Sequence, residues 1–258
     1  MIILSWNVRG LGDTRRKSDI KLLIQKYRPD IVMLQETKTI APTLALVREV
    51  WGHEAVQFEG VDALGALGGI WILWGILFLF SGMSWGIVNV CGLVLSSLKE
   101  GFLNDLGDLL VFHNVPFYLD EDFNFIRWPD ESSSLTAINS MMRLFNSFIE
   151  RFQLFDLPLA GANFTWSNRS ESNLVMSKLD RFLVTHDWME VFPLVSVKAL
   201  PRLSSYHIPL LLNTCSSNSG SKPFRLELVW QDEPEVIDLI KSTWVNSISF
   251  GSVVFQLH

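Results

Sequence analysis

The chain opens on an apolar run, residues 2–8, that predicts a buried strand, and the pattern then changes to a helical one. After a Gly-containing loop at 9–16, Ile20, Leu23, Ile24 and Tyr27 recur on one face, with Ser18 as a cap and Pro29 as the stop. Residues 30–35 are almost continuously apolar, as in a strand covered on both faces. A second helix is expected over 42–50, a short strand over 56–58, a helix over 99–111 with Phe102, Leu106, Leu109 and Leu110 on one side, and a strand over 115–119. Residues 135–152 carry the clearest helical spacing, with Ile138, Met141, Met142, Phe145, Ile149 and Phe152 facing a core. Beyond Pro158 the segments shorten, with turns at 161–163 and 167–172 and strands expected at 177–184, 194–200 and 208–212. Early helices and strands interleave, but late strands follow one another without helices. That order predicts an α/β fold, a sandwich of two mixed sheets packed face to face with outer helices.

Between Asp62 and Lys99 there is no charged residue and no His across 36 positions. By hydropathy alone residues 65–83 could cross a membrane. Gly68, Gly69, Gly75, Gly82 and Gly86 interrupt the run as turns would, which favours buried strands at 69–74 and 85–90 with an apolar insert between them. A membrane tether through 65–83 is the alternative, and the soluble α/β pattern on either side argues against it.

At 258 residues, 48% hydrophobic and with ten Trp and eighteen Phe, the chain can bury a sizeable core. Its net charge of -6 excludes a general nucleic-acid coat. It leaves room for an enzyme that grips phosphate through a metal and a few local Arg. Cys91 and Cys215 are too few for a disulfide framework or a zinc site, so a reducing compartment is expected. The N-terminal segment is not a signal peptide, and secretion is not expected. Residues 214–221 read as a Ser-rich linker and 222–258 as a tail.

Three separated segments place an amide or a carboxylate at the end of a strand-like run: Asn7, then Gln35 and Glu36, then Asp122 and Asn124. Strand ends are where α/β sheets present polar groups to ligands. Phosphodiester hydrolysis needs a cation, an oriented water and donors for the developing oxyanion. Glu36 and Asn7 suit a hard cation such as Mg²⁺, with Mn²⁺ able to replace it. Asp122 can orient the water, Asn124 can donate to phosphate, and His207 can relay a proton or stabilise charge. Asp180 is a candidate to fix the His207 tautomer, or else an ion-pair partner of Arg181. Taken singly, each is as readily a turn, surface or packing residue; their order and spacing carry the reading.

That set resembles the endonuclease/exonuclease/phosphatase superfamily. The matching residues are SWNVRG at 5–10, DIVMLQET at 30–37, DFN at 122–124, FTW at 164–166 and KLDRFLV at 178–184. SWNVRGLG, the Trp-Ser-Asn at 166–168 and the tail beginning Pro223-Phe224-Arg225 are most similar to the endonuclease of plant LINE-type (non-LTR) retrotransposons, where such a tail leads toward a reverse transcriptase. The resemblance covers residues 1–213. It implies a four-layer α/β sandwich, Glu36 as Mg²⁺ ligand with Asn7 beside it, Asp122 activating water, Asn124 on phosphate, His207 as the catalytic His oriented by Asp180, and Arg9 and Trp166 as substrate contacts. It further implies a DNA substrate, a nuclear or cytoplasmic location and no deducible protein partner.

The chain departs from the family pattern at four places. Tyr206 stands where an Asp precedes the His, and Cys91 where a Tyr ends a strand. Glu121 replaces a Gly before Asp122, and the 74–85 spacing is short, as though one sheet lacked a strand or hairpin. A lost carboxylate and a lost phenol argue against full activity and suggest a degenerate copy. The expectation is therefore a phosphodiesterase with impaired catalysis, or else a non-catalytic relic that keeps the fold and a nucleic-acid-binding face.

Overall fold

The computed structural model describes residues 1–39, 42–52, 56–64, 67–75, 85–93, 95–113, 115–134 and 137–214. Residues 1–216 form one compact unit; of the linker expected at 214–221 only Thr214 is described, buried and bonded to the Met1 carbonyl, and the tail at 222–258 and the apolar insert at 76–84 lie outside the described residues.

In chain order the elements are β1 (Ile2–Asn7), α1 (Thr14–Tyr27), β2 (Ile31–Gln35), α2 (Leu44–Trp51), β3 (Val56–Leu64), β4 (Leu67–Gly75), β5 (Gly86–Cys91), α3 (Ser96–Phe112) and β6 (Phe117–Asp122). There follow α4 (Ser140–Arg151), β7 (Phe155–Asp156), β8 (Leu159–Ala160), β9 (Trp166–Ser167), β10 (Met176–Ser177), β11 (Asp180–Val184), α5 (His186–Val191), β12 (Ser196–Ala199) and β13 (Leu210–Asn213). They build a seven-stranded sheet, β3-β4-β2-β1-β13-β12-β8, a four-stranded sheet, β5-β6-β11-β7, and a two-stranded ribbon, β10-β9. Both larger sheets are mixed: β1 runs parallel to β2 and antiparallel to β13, while β6 runs parallel to β5 and antiparallel to β11.

Period-two alternation sorts the side chains into layers. On β1 and β2, Leu4, Trp6, Val32 and Leu34 pack with Ile20, Leu23, Val47 and Val50 of α1 and α2. Their neighbours Ile3, Ile31 and Met33 face the other way and join Tyr118, Phe182 and Val184 of the smaller sheet. On that sheet's outer face, Leu119 and Leu183 meet Leu103, Leu106, Phe145 and Ile149 of α3 and α4. Three cores thus separate four layers, helices–sheet–sheet–helices, as the order of elements predicted.

Several local expectations are corrected. Asp13, not Ser18, caps α1, its side chain accepting from the Arg15 amide, and Ser18 lies inside the helix with its hydroxyl on the Thr14 carbonyl. Arg28, in the left-handed region, ends α1 just before Pro29. The helix expected from 135 begins at Ser140, because Asn139 accepts from the Met142 amide as an N-cap, and Ile138 lies exposed before it. The short strand expected at 56–58 is nine residues long. Helix α5 was unforeseen. Residues 67–75 form strand β4, paired with β2 and β3, so 65–83 is not one continuous spanning helix. Among the described residues no helix is long and apolar enough to cross a membrane. Strand β5, which follows the short spacing, lies at the edge of the smaller sheet.

Candidate active site

The layer between the sheets changes from apolar to polar toward one end. On β1 the residues facing that layer are Ile3, Ser5 and Asn7; on β2 they are Ile31, Met33 and Gln35; on β6 they are Tyr118, Asp120 and Asp122. The registers Asn7 opposite Gln35, Asp122 opposite Asp180 and Cys91 opposite Asp122 bring these strand ends together. The ends of five strands, β1, β2, β5, β6 and β11, from both sheets therefore converge on one cleft.

Asn7 is its hub and is 1% exposed. Its Nδ2 donates to Glu36 Oε1 at 3.1 Å and to Asp122 Oδ2 at 3.0 Å, while its Oδ1 accepts from the Arg9 amide at 3.2 Å. Glu36 follows β2 with a positive φ of 48°, and Lys38 Nζ and Arg9 Nε lie 3.5 and 3.9 Å from its Oε2. Asp122 Oδ1 accepts from the Asn124 amide at 3.0 Å, and Asn124, at φ 54°, donates Nδ2 to the Gly92 carbonyl at 3.0 Å. The Asp122–Asn124 segment is thus an Asx turn as well as part of the site. Gly92 is required here, since a Cβ would come within 2.3 Å of the Phe123 carbonyl oxygen.

His207 is buried. Its Nδ1 lies 2.9 and 3.0 Å from the two Asp180 oxygens, and its Nε2 lies 3.7 Å from Asp122 Oδ2. A carboxylate only accepts, so Nδ1 carries the proton and Nε2 is turned to Asp122. Asp180 is placed in turn by Thr165, whose hydroxyl accepts from the Leu179 and Asp180 amides, both at 3.0 Å. Ser205 Oγ donates to the Asn7 carbonyl at 2.6 Å, tying the His207 loop to β1.

The electrostatics follow from burying several acids together. Burial, and then Asp180 and Glu36, push Asp122 up to about 7 against the pull of His207. Burial works against the His207 imidazolium, but Asp180, and behind it Asp122 and Glu36, outweigh it and raise the pKa. Burial, with Asp122 and Glu36 adding, pushes the Cys91 thiol up to about 12. Cys91 is therefore a neutral thiol at the edge of the site. Asp120, one layer deeper, is held well above the carboxylate range mainly by burial, with Asp180 adding to it and hydrogen bonds from Ser5 and Tyr118 pulling against it.

Hard oxygen donors crowded with like charge fit a divalent cation. Asp122, Asp180 and His207 each offer an atom within 4.8 Å of the others, a group that could hold a metal ion, and Glu36 faces Asp122 across Asn7.

Every expected catalytic residue except the substrate contacts reaches this cluster. Arg9 and Trp166 stand at its rim, Trp166 through a bridge to His207. Tyr206 is also on the rim, 39% exposed, under the Arg9 guanidinium at 4.5 Å. Glu121 continues β6 opposite Arg181. The ion pair considered between Asp180 and Arg181 does not form: Arg181 reaches Glu131 and Asp156. Sequence reasoning missed Asp120, Thr165 and Lys99. Asp120 shares the parity of Asp122 along β6, which is a legible signal. Lys99 is buried on α3 over the Phe125 ring at 4.3 Å and donates to the Asn124 carbonyl; its helical position resembles a core residue's.

Residues 4–85 match the sequence model of the Endonuclease/Exonuclease/phosphatase family. No curated protein matches the chain. Among solved structures, the AP endonuclease LMAP from Leishmania major is similar at 17% identity and a TM-score of 0.61, over 82% of this chain and 86% of that one. The 3'-5' exonuclease NExo from Neisseria meningitidis is similar at 19% identity and a TM-score of 0.60, over 83% and 99%. The endonuclease domain of TRAS1, a telomere-specific non-LTR retrotransposon, is similar at 12% identity and a TM-score of 0.58, over 82% and 97%. The fold is the mixed α/β sandwich that these nucleases share.

Proposed function

We propose that this chain is a metal-dependent phosphodiester hydrolase of the DNA endonuclease type, using Mg²⁺, with turnover lowered by Tyr206 and Cys91. The observation that carries the reading is Asn7 bridging Glu36 and Asp122 while Asp180 holds His207 against Asp122. Glu36, with Asn7 beside it, would hold the cation, which supplies positive charge to the phosphoryl oxygens when bound. Asp122 orients the attacking water and takes its proton, a task suited to a carboxyl poised near neutrality. His207 presents Nε2 to the developing charge, its other nitrogen being committed to Asp180. Asn124 has one amide hydrogen on Gly92 and one left for phosphate. Arg9 and Trp166 line the rim as substrate contacts, and a nuclear or cytoplasmic location goes with such a substrate.

A second reading, a relic without turnover, draws support from Lys38 and Arg9 on the Glu36 carboxylate, where they would compete with a cation. Nicking of supercoiled plasmid by the full chain separates the two, run with Mg²⁺, with EDTA, and with the Tyr206→Asp variant. The proposal expects EDTA-sensitive nicking that rises in Tyr206→Asp, by up to the about 10²- to 10³-fold that a single transition-state group supplies. Silence in both proteins would leave the relic reading.

A further inference from the structure

Tyr206 draws cations rather than acids. The Arg9 and Arg169 guanidinium carbons lie 4.5 and 5.4 Å from its ring centroid, and Arg202 donates to its backbone carbonyl. Arg169 in turn donates to the Leu203 carbonyl at 2.6 Å and to the Ser205 carbonyl. The guanidiniums of Arg169 and Arg202 thus engage neutral carbonyls, and each retains further N–H donors. Arg169, Arg202 and Tyr206 are exposed and Arg9 is half-buried. This collects positive charge on the rim of a protein whose net charge is -6, and among the described residues only Arg9 of the three has an acid partner, Glu36 at 3.9 Å. The acid that the family resemblance expects at this position would have neutralised it.

We propose that Arg9, Arg169 and Arg202, gathered around Tyr206, form a metal-independent site for the phosphates of a nucleic-acid strand beside the cleft. Guanidinium groups match phosphate bidentately, and a ring held among them offers an edge for a base. Such a site keeps a strand at the cleft without the cation that the deeper residues would hold. The inference deepens the phosphodiesterase reading and rests on it for the class of ligand.

The test is fluorescence anisotropy of a labelled single-stranded oligonucleotide with the full chain in EDTA, over a range of salt. Arg169→Gln and Arg202→Gln keep an N–H donor for the carbonyls and remove the charge. Each is expected to weaken binding about 3- to 10-fold and to flatten the log–log salt slope by about 0.7, the value for one single-strand phosphate contact. Tyr206→Asp should weaken it about 10-fold by drawing the guanidiniums into ion pairs, while Tyr206→Phe retains it. No binding in EDTA, or Gln variants within about twofold of the natural chain with unchanged slope, would overturn the site. Displacement by inorganic phosphate at matched phosphate concentration would overturn the assignment to a strand. Because no turnover occurs in EDTA, a silent nuclease that still binds keeps this inference and removes the catalytic one; nicking without EDTA binding does the reverse.

Discussion

Asp180 and Arg181 are consecutive on β11, equally buried, and belong to two different electrostatic worlds. On one face Asp180 joins Asp122 and His207, where burial first, and then the nearby acids, drive Asp122 up to about 7. On the other face Arg181 lies 2.7 Å from Glu131 and 2.6 Å from Asp156, with Lys178 and Arg127 alongside. Burial alone would raise both of those acids, but Arg181, followed by Lys178, pulls them below the ordinary carboxylate range. The second cluster answers its two acids with three cations and with direct hydrogen bonds from Arg181, as a buried structural network must. The first buries Asp122 and Asp180 together with, among the described residues, no Lys or Arg ion pair and only His207 between them, which stability gives no reason to do. Burial by itself therefore does not mark a functional charge; a buried acid left without an Arg or Lys partner does.

Substitution on each face should break the comparison if it is wrong. Asp122→Asn and His207→Ala should each cut plasmid nicking by about 10²- to 10⁴-fold, the usual span for a positioned acid or base, with little loss of thermal stability. A parallel collapse in Tm would make the first cluster structural too. Arg181→Leu leaves Glu131 and Asp156 buried without their main partner, and should cost about 3–5 kcal/mol of unfolding free energy in urea. Adding Glu131→Gln and Asp156→Asn should recover part of that. A loss under about 1 kcal/mol would mean that Lys178 and Arg127 suffice.

How much of this was legible varies with the physics behind each signal. The strands at 2–8 and 30–35 were visible as apolar runs, yet a run covered on both sides hides which face is which. The polar residues break that degeneracy: Ser5 and Asn7, Gln35, Asp120 and Asp122 all share the parity of the inter-sheet face. The site could therefore be assembled from strand ends, and Asn7, Glu36, Asp122, Asn124, Asp180 and His207 do converge. Caps were less legible, because Asp13 and Ser18 are both good N-caps and only backbone geometry chooses between them. Lys99 could not be read, since a Lys near a helix start is ordinarily solvated and only the fold buries it. The partner of Arg181 was equally hidden, because Glu131 lies 50 residues away in sequence.

The smallest effect is the most pointed, because it reads the raised Asp122 carboxyl without needing turnover. A carboxyl whose folded pKa is about 7 against an ordinary 3.8 binds its proton more tightly when folded. Its contribution to stability is fully present below about pH 4 and is lost as pH rises through about 7. In EDTA the natural chain should therefore lose stability relative to Asp122→Asn between pH 5 and pH 8, by about 2 kcal/mol, since each pH unit across that window is worth at most 1.36 kcal/mol. Comparing the two proteins cancels the opposite trend from Glu131 and Asp156, whose lowered values add stability above the ordinary carboxylate range. Mg²⁺ added at pH 8 should then raise the Tm of the natural chain and close the gap, because a cation that binds only the folded state stabilises it by mass action. Parallel pH curves for the two proteins would mean that the fold does not raise Asp122, and the contrast between the two faces of β11 would fail at its source.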